Sequence, residues 1–312
     1  MTLLAEIADP VEVDTVLVAG ASGYVGGRLM GFLERQPLHV RCLARNPAKL
    51  RQRIAPSTVI FQGDVLEPES LDTALHGVHT AYYLVHLMDG AKDFEQEDRK
   101  AAKAFGDAAR RADVKRIIYL GGLGDDSDPG LSPHLRSRHE VGRILRESGV
   151  ETVEFRASLV IGNGSLSFDM VKSLTERLPV MVCPSWLTTP TQPIAVSDVL
   201  KYLLAARELP PGQSRIFEIG GRDVVTYGKI IQEYARQRSL RRLLISVPVL
   251  SPYVSSLWLA LVTPTAFDVG RHLIEGLKNP TVVRTSNTAA VFPIRTMGMR
   301  EAIAQAIADD AT

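Results

Sequence analysis

Gly20-Ala-Ser22-Gly23-Tyr24-Val25-Gly26 follows the apolar run Thr15-Val-Leu-Val18 and opens a helical pattern over Tyr24–Glu34. Glycines in that setting permit a tight turn, close backbone approach to a pyrophosphate and close helix–strand packing. The helix start adds unpaired N–H groups and the positive end of the helix dipole. The spacing therefore predicts a dinucleotide seat built from Gly20, Ser22, Gly23, Tyr24, Val25 and Gly26.

The end of the second strand, Val40-Arg-Cys-Leu-Ala44-Arg45-Asn-Pro-Ala-Lys49, carries no acid where an NAD site would place one for the ribose hydroxyls. Arg45 pairs with a 2′-phosphate instead, and Lys49 adds a second positive charge, so NADP(H) is the expected cofactor. Asp64, with Val65 beside it, follows the third strand and can accept from an adenine amino group; a plain loop cap is the alternative. Leu84-Val85-His86 ends the fourth strand beside the expected cofactor path, and His86 reads as a rim residue before it reads as a catalyst.

These residues need a scaffold that brings strand ends together. Strand patterns occur at His39–Leu43, Thr58–Phe61, Ala81–Val85, Arg116–Leu120 and Val153–Phe155, with helical patterns at Phe94–Ala112 and His134–Ser148. Alternation of this kind predicts a parallel sheet covered on both faces. After Ala157 the pattern loosens: helices at Leu166–Leu178, Ser197–Ala206 and Tyr227–Arg238, a strand at Arg215–Ile219, and a proline-cut stretch from Pro179 to Pro193. The expected architecture is α/β, a Rossmann-type doubly wound parallel sheet over residues 12–160. A smaller substrate-side part over 161–312 is interleaved with the last strands.

Bulk properties narrow the function classes. The chain has 312 residues, 45% hydrophobic and 23% charged, with a formal net charge of +1. No global field points to nucleic acid or to an anionic membrane. Cys42 and Cys183 stand in neither metal-ligand nor redox spacing, which predicts inert thiols in a reducing, cytoplasmic compartment. Met1–Pro10 lacks the basic-then-apolar pattern of a secretory signal. Val247–Val262 is broken by Pro248 and Pro252 and is too short to span a bilayer; a packed helix is expected, with partner or membrane-surface contact by Tyr253–Val262 left open.

The glycine turn, Arg45-Asn-Pro, Gly63-Asp64, Tyr83-Leu-Val-His86, Tyr119-Leu-Gly-Gly122, Arg156-Ala-Ser-Leu-Val-Ile-Gly162, Gln192-Pro-Ile-Ala-Val-Ser-Asp198 and Phe217-Glu-Ile-Gly-Gly221 resemble atypical short-chain dehydrogenases. The likeness is to the NmrA-like and YbjT-like group, related to the 39-kDa accessory subunit of respiratory complex I. It spans most of residues 14–310 and implies NADP(H) binding with a substrate cleft over the strand ends. It also implies a Ser after the fifth strand and Tyr-x-x-x-Lys on the next helix, the Tyr acting as general acid/base. Here the chain departs, with Gly121-Gly122 after the strand and His134 and Arg138 in the places of Tyr and Lys.

Arg138 can bind ribose hydroxyls but cannot share in a proton relay, because a guanidinium stays charged. His134 could donate a proton, yet Pro133 sets it in the first helical turn, where a capping or surface role is expected. Ser132 and Ser137 gain no support from spacing as replacement donors. The basic helix of Arg136, Arg138, His139, Arg143 and Arg146 reads as a solvated or phosphate-facing edge rather than a nucleic-acid surface. Asn163, Ser165, Ser167 and Asp169 should border the cleft, with helix capping the plainer role for the serines. No metal spacing and no Gly-x-Ser-x-Gly elbow occurs. The sequence thus predicts an NADP(H)-dependent sensor or accessory factor that meets a protein partner. A reductase or epimerase with a non-standard proton donor and a small-molecule substrate is the alternative, and a subunit stabilised by its nucleotide the third reading.

Overall fold

A computed structural model describes residues 13–87, 93–183, 185–246, 276–285 and 287–310. Met1–Pro10 and the Val247–Val262 stretch lie outside them. Strands β1 (Thr15–Ala19), β2 (His39–Ala44), β3 (Val59–Gln62), β4 (Thr80–Tyr83), β5 (Arg116–Gly122) and β6 (Glu151–Ala157) form one parallel sheet. A strand far along the chain, β11 (Arg215–Ile219), completes it, in the order β11-β6-β5-β4-β1-β2-β3. Both faces are covered, so the central strands are apolar throughout; Val16, Leu17, Val18, Ile117 and Ile118 are fully buried.

Helices α1 (Tyr24–Leu33) and α7 (Val196–Arg207) pack on one face, while α4 (Phe94–Arg111) and α5 (Pro133–Glu147) cover the other. Helix α4 turns Ala101, Ala102, Phe105, Ala108 and Ala109 inward in the 3.6-residue rhythm, and the Asp93 side chain caps its first turn. Two short helices escaped the sequence reading: α2 (Pro47–Arg51) and α3 (Pro68–Leu75). Each begins on a proline at its first position, a usable signal because the missing N–H has no intrahelical acceptor there anyway.

Strand ends shifted by a residue or two. The fourth strand ends at Tyr83 rather than Val85, with Leu84 N still donating to Ala19 O at 2.9 Å. Between Pro179 and Pro193 the loosely patterned chain makes β8 (Val180–Cys183), a 3₁₀ turn over Ser185–Thr188 and β9 (Pro190–Thr191). Short strands β7 (Val160–Ile161) and β10 (Ile194–Ala195) pair in parallel; β12 (Val225–Thr226) runs antiparallel to β9, and β13 (Leu243–Ser246) parallel to β8. A separate apolar cluster joins α6 (Leu166–Arg177), α8 (Tyr227–Gln237) and the helix Met299–Ala308 through Phe168, Trp186, Ile230 and Ile303.

Arg116 ties the two halves together. It is 4% exposed, and its guanidinium donates to the carbonyls of Ala206, Arg207, Leu209 and Pro210 and to Glu151 Oε2 at 2.7–3.2 Å. One side chain thus satisfies the open carbonyls at the C-terminus of α7. Arg116→Met leaves those acceptors and a buried carboxylate unpartnered, at a cost of about 3 kcal/mol. A urea titration should show a clearly lowered midpoint, and an unchanged midpoint would contradict this role.

Candidate functional site

Strand order reverses at β1, with β2 on one side and β4 on the other. The crossovers leave in opposite directions there and open a crevice above the carboxyl ends of the strands. A cleft of about 560 Å³ occupies this place. It runs from Arg45 across the glycine turn to Gly121, Gly122, His134, Arg138 and Ser158.

The turn is built for close approach. Gly20 has φ +95°, and a Cβ there would lie 2.5 Å from the Leu84 carbonyl oxygen; a Cβ on Gly26 would lie 2.2 Å from the Gly20 oxygen. The Gly23 N–H donates to Gly20 O at 3.0 Å and closes the loop. The first N–H groups of α1, on Tyr24, Val25 and Gly26, have no intrahelical acceptor and face this end of the cleft. The cradle fits a pyrophosphate, whose oxygens can be reached by backbone donors without a side chain in the way. Tyr24 lies half-buried beside it with the Arg28 guanidinium 5.1 Å from its ring centre, and burial pushes its phenol up to about 12.

Arg45 lies exposed at the mouth of the cleft, while Lys49 sits on α2 outside the lining, a departure from the expected pair. The second cation near the turn is Arg53, whose Nη1 reaches Ser22 O at 3.5 Å. Sequence reading passed over Arg53 because its link to the turn is purely tertiary. Asp64 and Val65 line the cleft, and one Asp64 oxygen accepts from Leu66 N at 3.0 Å, so the loop-cap role is realised while the other oxygen stays open. Leu84, Val85 and His86 line it from the end of β4.

His86 stands at the rim with its ring 4.9 Å from that of His134.

The positions of the expected catalytic set have other work. Arg138 lines the cleft, but its guanidinium donates to Val85 O at 3.2 Å and Leu120 O at 3.0 Å and lies 4.9 Å from the Tyr119 ring centre. It brackets the ends of β4 and β5. Ser132 caps α5 through Leu135 N, and Ser137 donates to Asp98 Oδ2 at 2.7 Å. A Cβ on Gly122, at the end of β5, would lie 2.7 Å from Leu135 Cδ2, so a serine there requires that leucine to shift. His139 faces Gly122 O at 2.9 Å and Asp126 Oδ1 at 2.5 Å, away from the cleft.

The residues Asn163, Ser165, Ser167 and Asp169 are absent from the cleft lining. Ser165 holds the N-cap position of α6 without capping it, because its hydroxyl donates to Val160 O at 2.7 Å. Asn163 donates to Asp309 O and accepts Arg28 on its carbonyl. Among the described residues no group of His, Cys, Asp and Glu has metal-site geometry, and no helix is long and apolar enough to cross a membrane.

Comparison with known proteins now adds to the geometry. The NAD(P)H-binding family matches over residues 20–159, the stretch that holds the glycine turn and β2 to β6. A match to an NAD(P)H-binding domain is what the glycine turn leads one to expect. The chain is 25% identical to photosystem II assembly factor Ycf39 of Cyanophora paradoxa, over 87% of this chain and 82% of that protein. It is 29% identical to the NAD(P)H azoreductase of Xenophilus azovorans over 45% of this chain and 43% of the azoreductase. An NADPH-dependent quinone oxidoreductase of Escherichia coli, solved with NADPH, shares the fold at TM-score 0.72 and 17% identity, covering 93% of this chain and 98% of that one. The glycine turn and the ends of β2, β4 and β5 together line the cleft within the matched stretch.

Proposed function

We propose that the chain is an NADPH-dependent reductase acting on conjugated acceptors, such as quinones, that take up hydride without a tyrosine acid. Bound reduced nicotinamide supplies the hydride. The observation that carries this reading is the continuity of the cleft, which does not stop at the pyrophosphate cradle but extends to an open polar end between β4, β5 and β6. Arg45, with Arg53 nearby, meets the 2′-phosphate; Gly20, Ser22, Gly23, Tyr24, Val25 and Gly26 present backbone donors to the pyrophosphate; Asp64 and Val65 border the adenine. Arg138 holds the strand ends that the nicotinamide ribose rests against. Its fixed charge bars a proton relay, which is why acceptors stable as anions after hydride uptake suit the site.

A second reading, a nucleotide-dependent sensor or accessory factor, is favoured by one observation, the use of Arg138 as a bracket in the place of the catalytic lysine. The similarity to an assembly factor over most of both chains supports it as well.

NADPH consumption by the purified protein, with menadione and with an azo dye as acceptors, separates the two. Acceptor-dependent consumption, faster with NADPH than with NADH, is expected. Tight NADPH binding with no consumption on either acceptor overturns the reductase reading and leaves the accessory one.

A further inference from the structure

Four hydroxyl groups meet beneath the open end of the cleft. Ser158 follows β6 directly, is half-buried and lines the cleft beside Gly122 and His134. Its Oγ lies 2.6 Å from Thr191 Oγ1 and 2.7 Å from Thr281 Oγ1, and the two threonine oxygens are 2.9 Å apart. The Tyr227 phenol sits against both threonines; burial raises it above the ordinary range and the threonine hydroxyls act against that rise. Thr191 is fully buried, Thr281 is 5% exposed and Tyr227 4%. Backbone bonds fix the group: Thr281 N donates to Pro190 O at 3.1 Å, and Gln192 N to Thr281 O at 2.8 Å.

Proton counting gives this cluster a direction. Each hydroxyl carries a single hydrogen and can accept two more. Only Ser158 touches the cleft, so Thr191, Thr281 and Tyr227 must place their hydrogens within the cluster. With Thr191 and Thr281 each donating to Ser158, at 2.6 and 2.7 Å, the lone pairs of Ser158 Oγ are filled. The Ser158 hydrogen is then left for the cleft, and the donors behind it polarise the O–H and strengthen it. A buried hydroxyl whose lone pairs are already filled is a donor aimed outward, and its complement is an acceptor oxygen.

We propose that Ser158 is the anchor for a carbonyl oxygen of the acceptor, held as a donor by Thr191, Thr281 and Tyr227. No proton leaves Ser158; it stabilises the negative charge that grows on that oxygen as hydride arrives. Ser158 is the residue that touches the acceptor, and the other three are positioning residues. The inference deepens the reductase reading and specifies its acceptor as an oxygen-bearing one.

The test is calorimetric titration of menadione into the NADP⁺-saturated protein, which needs no turnover. Ser158→Ala should weaken menadione about tenfold, Thr191→Val about threefold, and Thr191→Ser, which keeps the hydroxyl, should restore it, with NADPH affinity and the urea midpoint unmoved. A purely structural role for Thr191 would move the midpoint and leave menadione alone. Where Thr191→Val fails to fold, Tyr227→Phe takes its place. No binding of menadione to the parent protein, or a change below twofold in Ser158→Ala, overturns the anchor. Equal weakening of menadione and NADPH also overturns it and assigns the hydroxyl to the nucleotide carboxamide. If the titration shows the anchor but NADPH is not consumed, the reductase reading falls and the anchor stands.

Discussion

Arg45→Glu is expected to weaken NADPH by about 100-fold and to leave NADH within about threefold of the parent value. A charge-assisted contact contributes roughly 1.5–3 kcal/mol, and the substitution also sets a carboxylate against a 2′-phosphate. NADH lacks that phosphate, and glutamate at this place can accept from its ribose hydroxyls. Because Arg45 is exposed at the cleft mouth, the effect should shrink with salt, so both titrations belong at one low ionic strength. Fluorescence titration of the two nucleotides reads the ratio directly. A preference for NADPH that survives the substitution would show that Arg53, or no cation at all, decides the cofactor.

Gly26→Ala should cost a comparable amount for a different reason. The added methyl would sit 2.2 Å from Gly20 O and 3.1 Å from Ala21 Cα, both backbone atoms that cannot rotate away. The turn and the start of α1 must separate, at a cost of about 3 kcal/mol of overpacking, which withdraws the backbone donors from the pyrophosphate. NADPH affinity should fall about 100-fold and the urea midpoint should drop as well. Gly23→Ala makes a control, since its nearest contact is Gly20 O at 3.2 Å and a small shift accommodates it. Equal affinities for the two alanine variants would contradict the reading of the turn as a close-approach cradle.

The nucleotide half of the site was legible because its signals are local. A strand, a glycine turn and a helix follow one another without interruption from Thr15 to Leu33, and Arg45 follows the next strand directly. Asn46 caps α2 at Lys49 N, and Lys49 lies outside the cleft lining. The carbonyl bracket of Arg138 could not be read from spacing, because its acceptors, Val85 and Leu120, are 53 and 18 residues away. Ser158 lies inside the Arg156–Gly162 motif, and a lone serine after a strand says nothing until Thr191 and Thr281 come to meet it. The short helices α2 and α3 were missed for want of length: five and eight residues hold too little periodicity to rise above their surroundings.

The return of β11 to the sheet sets an order of events during synthesis. Phe217 pairs with Phe155, and Arg116 waits for the carbonyl of Pro210, 94 residues further along. A nascent chain that has finished β6 therefore carries an unpaired strand edge and an Arg116 guanidinium that has Glu151 but not yet its carbonyl acceptors. Loop closure over such a separation is slow, and an open edge is a template for pairing with other chains. The nucleotide cradle, complete by the end of β5, lies on the early side of that interval. Ligand binding there can hold the first strands together while the ribosome is still delivering the strand that closes the sheet.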